Sequence, residues 1–119
     1  MPKNIIKVLH VDDEEPVLEI TKEFLALYNI ESWTITDPRA AKGMLEERDF
    51  DVLISDYQMP GMDGLELLAS LRKDDIKIPF ILLTGKGRED VAIRALNSGV
   101  DFYLQKGGDP KAQFAELSN

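Results

Sequence analysis

Apolar residues along this chain fall into two alternating rhythms, continuous runs and helical repeats. Residues 5–11 form an apolar run that reads as a buried strand. Pro16 then opens a helix, since proline is tolerated in a first turn, and Val17, Ile20, Phe24 and Leu27 predict its buried stripe. Ser32-Trp33-Thr34-Ile35 alternates polar and apolar, as a half-exposed strand does. Asp37-Pro38 is a cap with proline at the first helical position, and Ala41, Met44 and Leu45 face inward from that helix. Residues 52–56 form a second apolar run, and it ends on a carboxylate, Asp56. Residues 64–72 predict a helix with Leu65, Leu68 and Leu71 inside. Residues 80–84 are again apolar throughout. Residues 88–98 predict a helix with Val91, Ala95 and Leu96 inside, ended by Gly99. Residues 101–105 read as a short strand, broken by Gly107-Gly108, and Asp109-Pro110 caps a last short helix carrying Phe114 and Leu117.

Strand and helix thus alternate about five times, which calls for an α/β fold: a parallel sheet with helices on both faces. The first, third and fourth strands are apolar throughout and belong in the middle of the sheet. The second and fifth are mixed or short and belong at its edges. Right-handed crossovers then give a doubly wound, flavodoxin-like five-stranded sheet of order 2-1-3-4-5. That order reverses between the first and third strands, so a crevice opens between Val11-Asp12-Asp13 and Ser55-Asp56. There is no internal repeat, low-complexity segment or interior linker, and 119 residues suit one domain.

Composition narrows the chemistry. A net charge of −8 and a pI near 4.6 repel nucleic-acid phosphates, and no basic stripe interleaved with aromatics occurs, so direct nucleic-acid binding is not expected. Most of that acidity serves solubility. The absence of cysteine excludes a disulfide framework, a zinc-thiolate site and a thiol nucleophile. No signal peptide or membrane-spanning run is present, so a cytoplasmic location without membrane contact is expected.

Four strand ends face the crevice. The first gives Asp12 and Asp13, the third Asp56, the fourth Thr84 and the fifth Lys106. Three carboxylates this close repel one another, so either some are protonated or a cation sits among them. Few oxygen ligands with room for water favour magnesium. A hydroxyl from Thr84 and a positive charge from Lys106 beside an exposed carboxylate suit a phosphoryl group transferred onto Asp56. Taken singly the residues have plainer readings: an Asp56 that caps the following turn, an Asp12-Asp13 pair that caps the first helix, a strand-end threonine, a solvated lysine.

Val11-Asp12-Asp13, Asp56 with Met59-Pro60-Gly61-Met62-Asp63-Gly64, Thr84-Gly85, Ser98-Gly99-Val100-Asp101, Tyr103 and Lys106, in that order, make the chain resemble the receiver domain of two-component response regulators. The resemblance covers nearly all of it. It implies that Asp56 is the phosphoacceptor, that Asp13 and Asp56 bind magnesium, and that Asp12 acts through water and Gln58 through its backbone carbonyl. Thr84 and Lys106 would contact the phosphoryl oxygens, and Tyr103 would change position together with Thr84. The phosphoryl donor would be a histidine kinase or a phosphotransfer protein. The chain would be a signalling domain and not an enzyme, a monomer or weak dimer, with an output domain expected beyond Asn119. Its switching surface would be the fourth helix, fifth strand and fifth helix.

The chain departs from that family at Gly107, where proline usually follows the lysine, and in its short last helix. Lys106-Gly107-Gly108-Asp109-Pro110 is similar to receivers at the front of archaeal sensor kinases. Other readings fit the residues less well. A phosphatase of the Asp-x-Asp type lacks its second carboxylate, because position 58 is Gln. A nucleotide hydrolase needs a loop ending in Gly-Lys-Ser or Gly-Lys-Thr, and Gly85-Lys86-Gly87-Arg88 is not one. A flavin carrier needs a phosphate-friendly first loop, whereas residues 12–15 are acidic. A receiver-like module that binds without phosphorylation would usually lack a site residue, and none is lacking. His10 reads as packing, as do Trp33 and Phe50. Gln58 and Lys86 flank the path by which water reaches phosphorus, and should set how long the phosphoryl group lasts.

Overall fold

The computed structural model describes residues 5–85 and 89–105. Nine main elements follow in order: β1 (Ile6–Val11), α1 (Glu15–Ala26), β2 (Ile30–Ile35), α2 (Ala41–Glu47, entered through a single 3-10 turn), β3 (Val52–Asp56), α3 (Gly64–Lys73), β4 (Phe80–Thr84), α4 (Glu89–Ser98) and β5 (Phe102–Gln105). The strands form one parallel sheet of order β2-β1-β3-β4-β5, the predicted topology. The expected last helix, the Gly107-Gly108 break, Lys86 and Lys106 lie outside the described residues.

Strand alternation divides the core into two layers. On one face Leu9, Val11, Leu53, Phe80 and Leu82 pack with Ala41 of α2, with Leu67, Leu68 and Leu71 of α3, and with Val91 and Ala95 of α4. On the other face Val8, Ile54, Leu83 and Leu104 pack with Leu25 of α1. The central strands carry apolar residues on both faces because both faces are covered.

Helix phase departs from the expected stripes. In α1 the buried residues are Leu18, Thr21 and Leu25. Ile20 and Leu27 instead stand 53% and 76% exposed. Apolar residues occupy two neighbouring faces of α1, and the face turned to the sheet is that of Leu18, Thr21 and Leu25. In α3 Leu67 joins Leu68 and Leu71 inside, while Leu65 is only partly buried. In α4 Val91 and Ala95 are buried, but Leu96 is 71% exposed. β2 starts at Ile30, straight after a left-handed turn at Asn29, whose φ is 62°.

Side chains close the remaining joints. Asp63 caps α3: its carboxylate accepts the Glu66 N–H at 2.8 Å, and Glu66 accepts the Asp63 N–H at 2.9 Å. The Arg72 guanidinium donates to the carbonyls of Ile76 and Ile78 at 2.7 and 2.8 Å, which holds the turn between α3 and β4. At the start of α2, hydrogen bonds from Arg39 hold the Asp37 carboxyl below the usual carboxylate range. Lys42 pairs with Asp74, which raises its ammonium above the usual lysine value.

Candidate functional site

In-register parallel pairing brings the carboxyl ends of the central strands level. Val11 lies opposite Ser55, and Asp56 lies opposite Leu83. Asp12 and Asp13 therefore follow β1 directly, Asp56 ends β3, and Thr84 ends β4. Carboxylate oxygens of Asp12, Asp13 and Asp56 all lie within 4.8 Å of one another.

The three aspartates differ in exposure. Asp12 is fully buried, Asp13 is exposed, and Asp56 is 6% exposed. Asp56 was expected to face solvent. It is instead nearly buried and forms a wall of the crevice. Asp12 accepts the Glu14 N–H at 3.0 Å, while its own N–H donates to the Ile35 carbonyl at 3.2 Å. Neither aspartate takes the capping place of α1. Glu14 holds that place without a side-chain cap.

At an effective dielectric of about 20, two carboxylates this close repel by about 3 kcal/mol. A divalent cation relieves that repulsion. The donor set fits magnesium: hard carboxylate oxygens within 4.8 Å of one another, from two buried aspartates and one open to water.

The surrounding backbone fixes the floor of the crevice. Ser55 Oγ donates to the Asp56 carbonyl at 2.9 Å. The Tyr57 N–H donates to the Leu83 carbonyl, and the Tyr57 carbonyl accepts the Gly64 N–H, both at 2.8 Å. A Cβ on Gly64 would meet the Asp56 carbonyl oxygen at 2.5 Å and Leu82 Cδ1 at 2.6 Å. Only glycine lets α3 begin this close to β3. Gly61 turns the intervening loop with a φ of 83°.

Thr84 is 1% exposed, and its hydroxyl donates to the Gly85 carbonyl at 3.4 Å. That is long for a hydroxyl donor, so a better acceptor nearby would take it. Leu82 pairs with Tyr103, and alternation puts Tyr103 and Thr84 on the same face of adjacent strands. Tyr103 is partly buried against the cluster on that face. Gln58 is exposed in the loop after Asp56. The structure thus brings together Asp12, Asp13, Asp56 and Thr84, with Tyr103 one row behind.

One contact had no counterpart in the sequence reading. The Arg94 guanidinium of α4 donates to the Tyr57 hydroxyl and lies 5.6 Å from the centre of its ring. Nothing local in the sequence pairs residues 37 apart. Ser55, placed at the crevice by the sequence, has its hydroxyl on the Asp56 carbonyl.

Comparison with known proteins bears on this arrangement. The family model for the response regulator receiver domain matches residues 8–117. The chain is 34% identical over 112 residues to the phosphate regulon transcriptional regulatory protein PhoB of Pseudomonas aeruginosa, covering 92% of this chain and 49% of that protein. It is 38% identical over 102 residues to the heme response regulator HssR of Staphylococcus epidermidis, covering 86% of this chain and 45% of that protein. The chain spans about half the length of these curated relatives. Among solved structures it resembles the Vibrio cholerae chemotaxis protein CheY4 with a TM-score of 0.85 and 28% identity, covering 96% of this chain and 97% of that one. It also resembles a response regulator receiver domain protein from Clostridium thermocellum, with a TM-score of 0.83 and 29% identity over 96% of this chain and 90% of that one.

Proposed function

This chain belongs to the response regulator receiver domain family of two-component systems, and from that premise we propose that Asp56 is its phosphoacceptor. One observation carries the assignment. Three carboxylates with oxygens within 4.8 Å of one another meet at the ends of β1 and β3, with the Thr84 hydroxyl ending the next strand. A carboxylate oxygen of Asp56 attacks phosphorus in a phosphohistidine of a histidine kinase or phosphotransfer protein, or in a small acyl phosphate. The bond from phosphorus to the donor's nitrogen or oxygen breaks, and the electron pair leaves with the donor. An acyl phosphate remains on Asp56.

Asp12, Asp13, Asp56 and the Gln58 carbonyl would hold magnesium. When bound, the ion neutralises the carboxylates and the incoming phosphoryl oxygens. Asp12 anchors the set, because it is buried and tied to the Glu14 N–H. Thr84 gives up its long bond to Gly85 and donates to a phosphoryl oxygen, and Lys106 contributes the positive charge. Tyr103 then moves inward behind Thr84, and the surface of α4, β5 and the residues after them changes.

Residues 1–119 are read as a single signalling domain that carries no activity beyond its own phosphorylation and dephosphorylation. It would work in the cytoplasm, as a monomer or weak dimer, with an output domain in the same chain or as a separate protein. No described helix is long and apolar enough to cross a membrane.

Acetyl phosphate supplies the test. Incubated with magnesium, the chain gains one phosphoryl mass in intact mass spectrometry, and Asp56→Asn or a chelator abolishes the gain. Equal labelling of Asp56→Asn, or labelling indifferent to chelation, would overturn the assignment.

A further inference from the structure

Tyr57 is bonded directly to Asp56, and its backbone has little freedom. Its N–H is held by Leu83 and its carbonyl by Gly64, both at 2.8 Å. Its ring is buried in the same cluster as Val91 and Ala95 of α4. Its hydroxyl accepts a hydrogen bond from Arg94, which reaches in from the exposed side of α4 and also lies 5.6 Å from the ring centre. The Tyr57 main chain is thus tied on both sides, and its side chain is the part that reaches α4.

Such a contact is either made or broken, because a hydrogen bond to a fixed phenol weakens steeply with misalignment. Breaking it does not strand the charge. Arg94 lines an open groove of about 400 Å³ between α3 and α4, together with Asp63 and Glu66. Acidic side chains thus border the space a released guanidinium would enter.

We propose that Tyr57 and Arg94 form a second route from Asp56 to α4, separate from the route through Thr84 and Tyr103. The proposal rests on Asp56 being the phosphoacceptor. Packed elements joined by a breakable contact can form a bistable unit, and both ends of such a unit bias it. Coupling is reciprocal, so cutting the contact must also change how tightly the crevice takes a phosphoryl mimic.

Backbone amide NMR of the 119-residue chain, titrated with beryllofluoride at fixed magnesium, separates the possibilities. In the wild type, amides of Asp12 and Asp13 and of α4 shift together. In Tyr57→Phe, which keeps the ring in the core, and in Arg94→Ala, on the helix surface, the crevice still responds while the α4 shifts fall by about half or more. Beryllofluoride affinity changes about two- to thirtyfold in each. The double variant matches Arg94→Ala, because Tyr57→Phe removes only the hydroxyl contact and Arg94→Ala removes that contact together with the one to the ring. Full α4 responses with unchanged affinity in both single variants, or additive effects in the double variant, would overturn the route. A wild-type crevice that ignores beryllofluoride would overturn the acceptor reading instead, and the route with it.

Discussion

Gly64 shows how narrowly single residues constrain this site. It is the first residue of α3, and a Cβ there would run into the Asp56 carbonyl oxygen and Leu82. Gly64→Ala should cost about 1–3 kcal/mol and lower the melting temperature by at least about 4 °C, because backbone must move to admit the methyl group. An unchanged melting temperature would mean that α3 can shift freely against β3. Lys86 tests the site's kinetics. We propose that the Lys86 ammonium shields the phosphoryl oxygens; such a contact gains about 1 kcal/mol or less, yet that is several-fold in rate. Lys86→Ala should therefore lose its phosphoryl group several-fold faster than wild type at fixed magnesium. Equal or slower decay would reject the blocking role, leaving Lys86 as a solvated loop residue. Legibility at this scale followed strand ends. Asp12, Asp13, Asp56 and Thr84 could be placed because each closes an apolar run. The Tyr57–Arg94 contact could not, because it depends on where α4 docks.

Helices illustrate what sequence periodicity leaves open. In α1 two candidate stripes compete, one through Ile20 and Leu27 and one through Leu18, Thr21 and Leu25, and docking chose the second. In α4 the small Val91 and Ala95 meet the sheet, and the larger Ile93 and Leu96 remain outside at 63% and 71% exposure. The sequence pattern places Val91, Ala95 and Leu96 inside, and of these only Leu96 is turned outward. α3 was better defined, and its start has a direct test. Asp63 and Glu66 exchange hydrogen bonds with each other's backbone N–H. Asp63→Ala should cost about 1 kcal/mol, or about 4 °C in melting temperature. Since α3 leads out of the Asp56 loop, a loss of that size should leave the loop's register intact. A collapse of the whole fold would show that the cap does more than start a helix.

Across the whole molecule, the parallel sheet was legible from the contrast between fully apolar and mixed strands. Its order then fixed which loops share an edge. The same order concentrates acidic groups on a chain already at −8, so binding a cation there should be visible in global stability. Magnesium at ten times its dissociation constant should stabilise the wild type by about 1.4 kcal/mol. Asp13→Asn removes one repelling charge and one ligand. Without magnesium it should melt at or above the wild-type temperature, and with magnesium it should gain less. A wild type whose melting temperature ignores magnesium, or an Asp13→Asn that gains as much, would contradict the cation site.

The central claim is that Asp56 becomes an acyl phosphate, and its chemistry allows a direct measurement. Borohydride reduces an acyl phosphate to an alcohol, converting a phosphorylated aspartate to homoserine. After phosphorylation with acetyl phosphate and magnesium, reduction and peptide mass spectrometry should place homoserine at position 56 alone. Homoserine at Asp12 or Asp13, or none at position 56 in a chain shown by intact mass to be phosphorylated, would contradict the account.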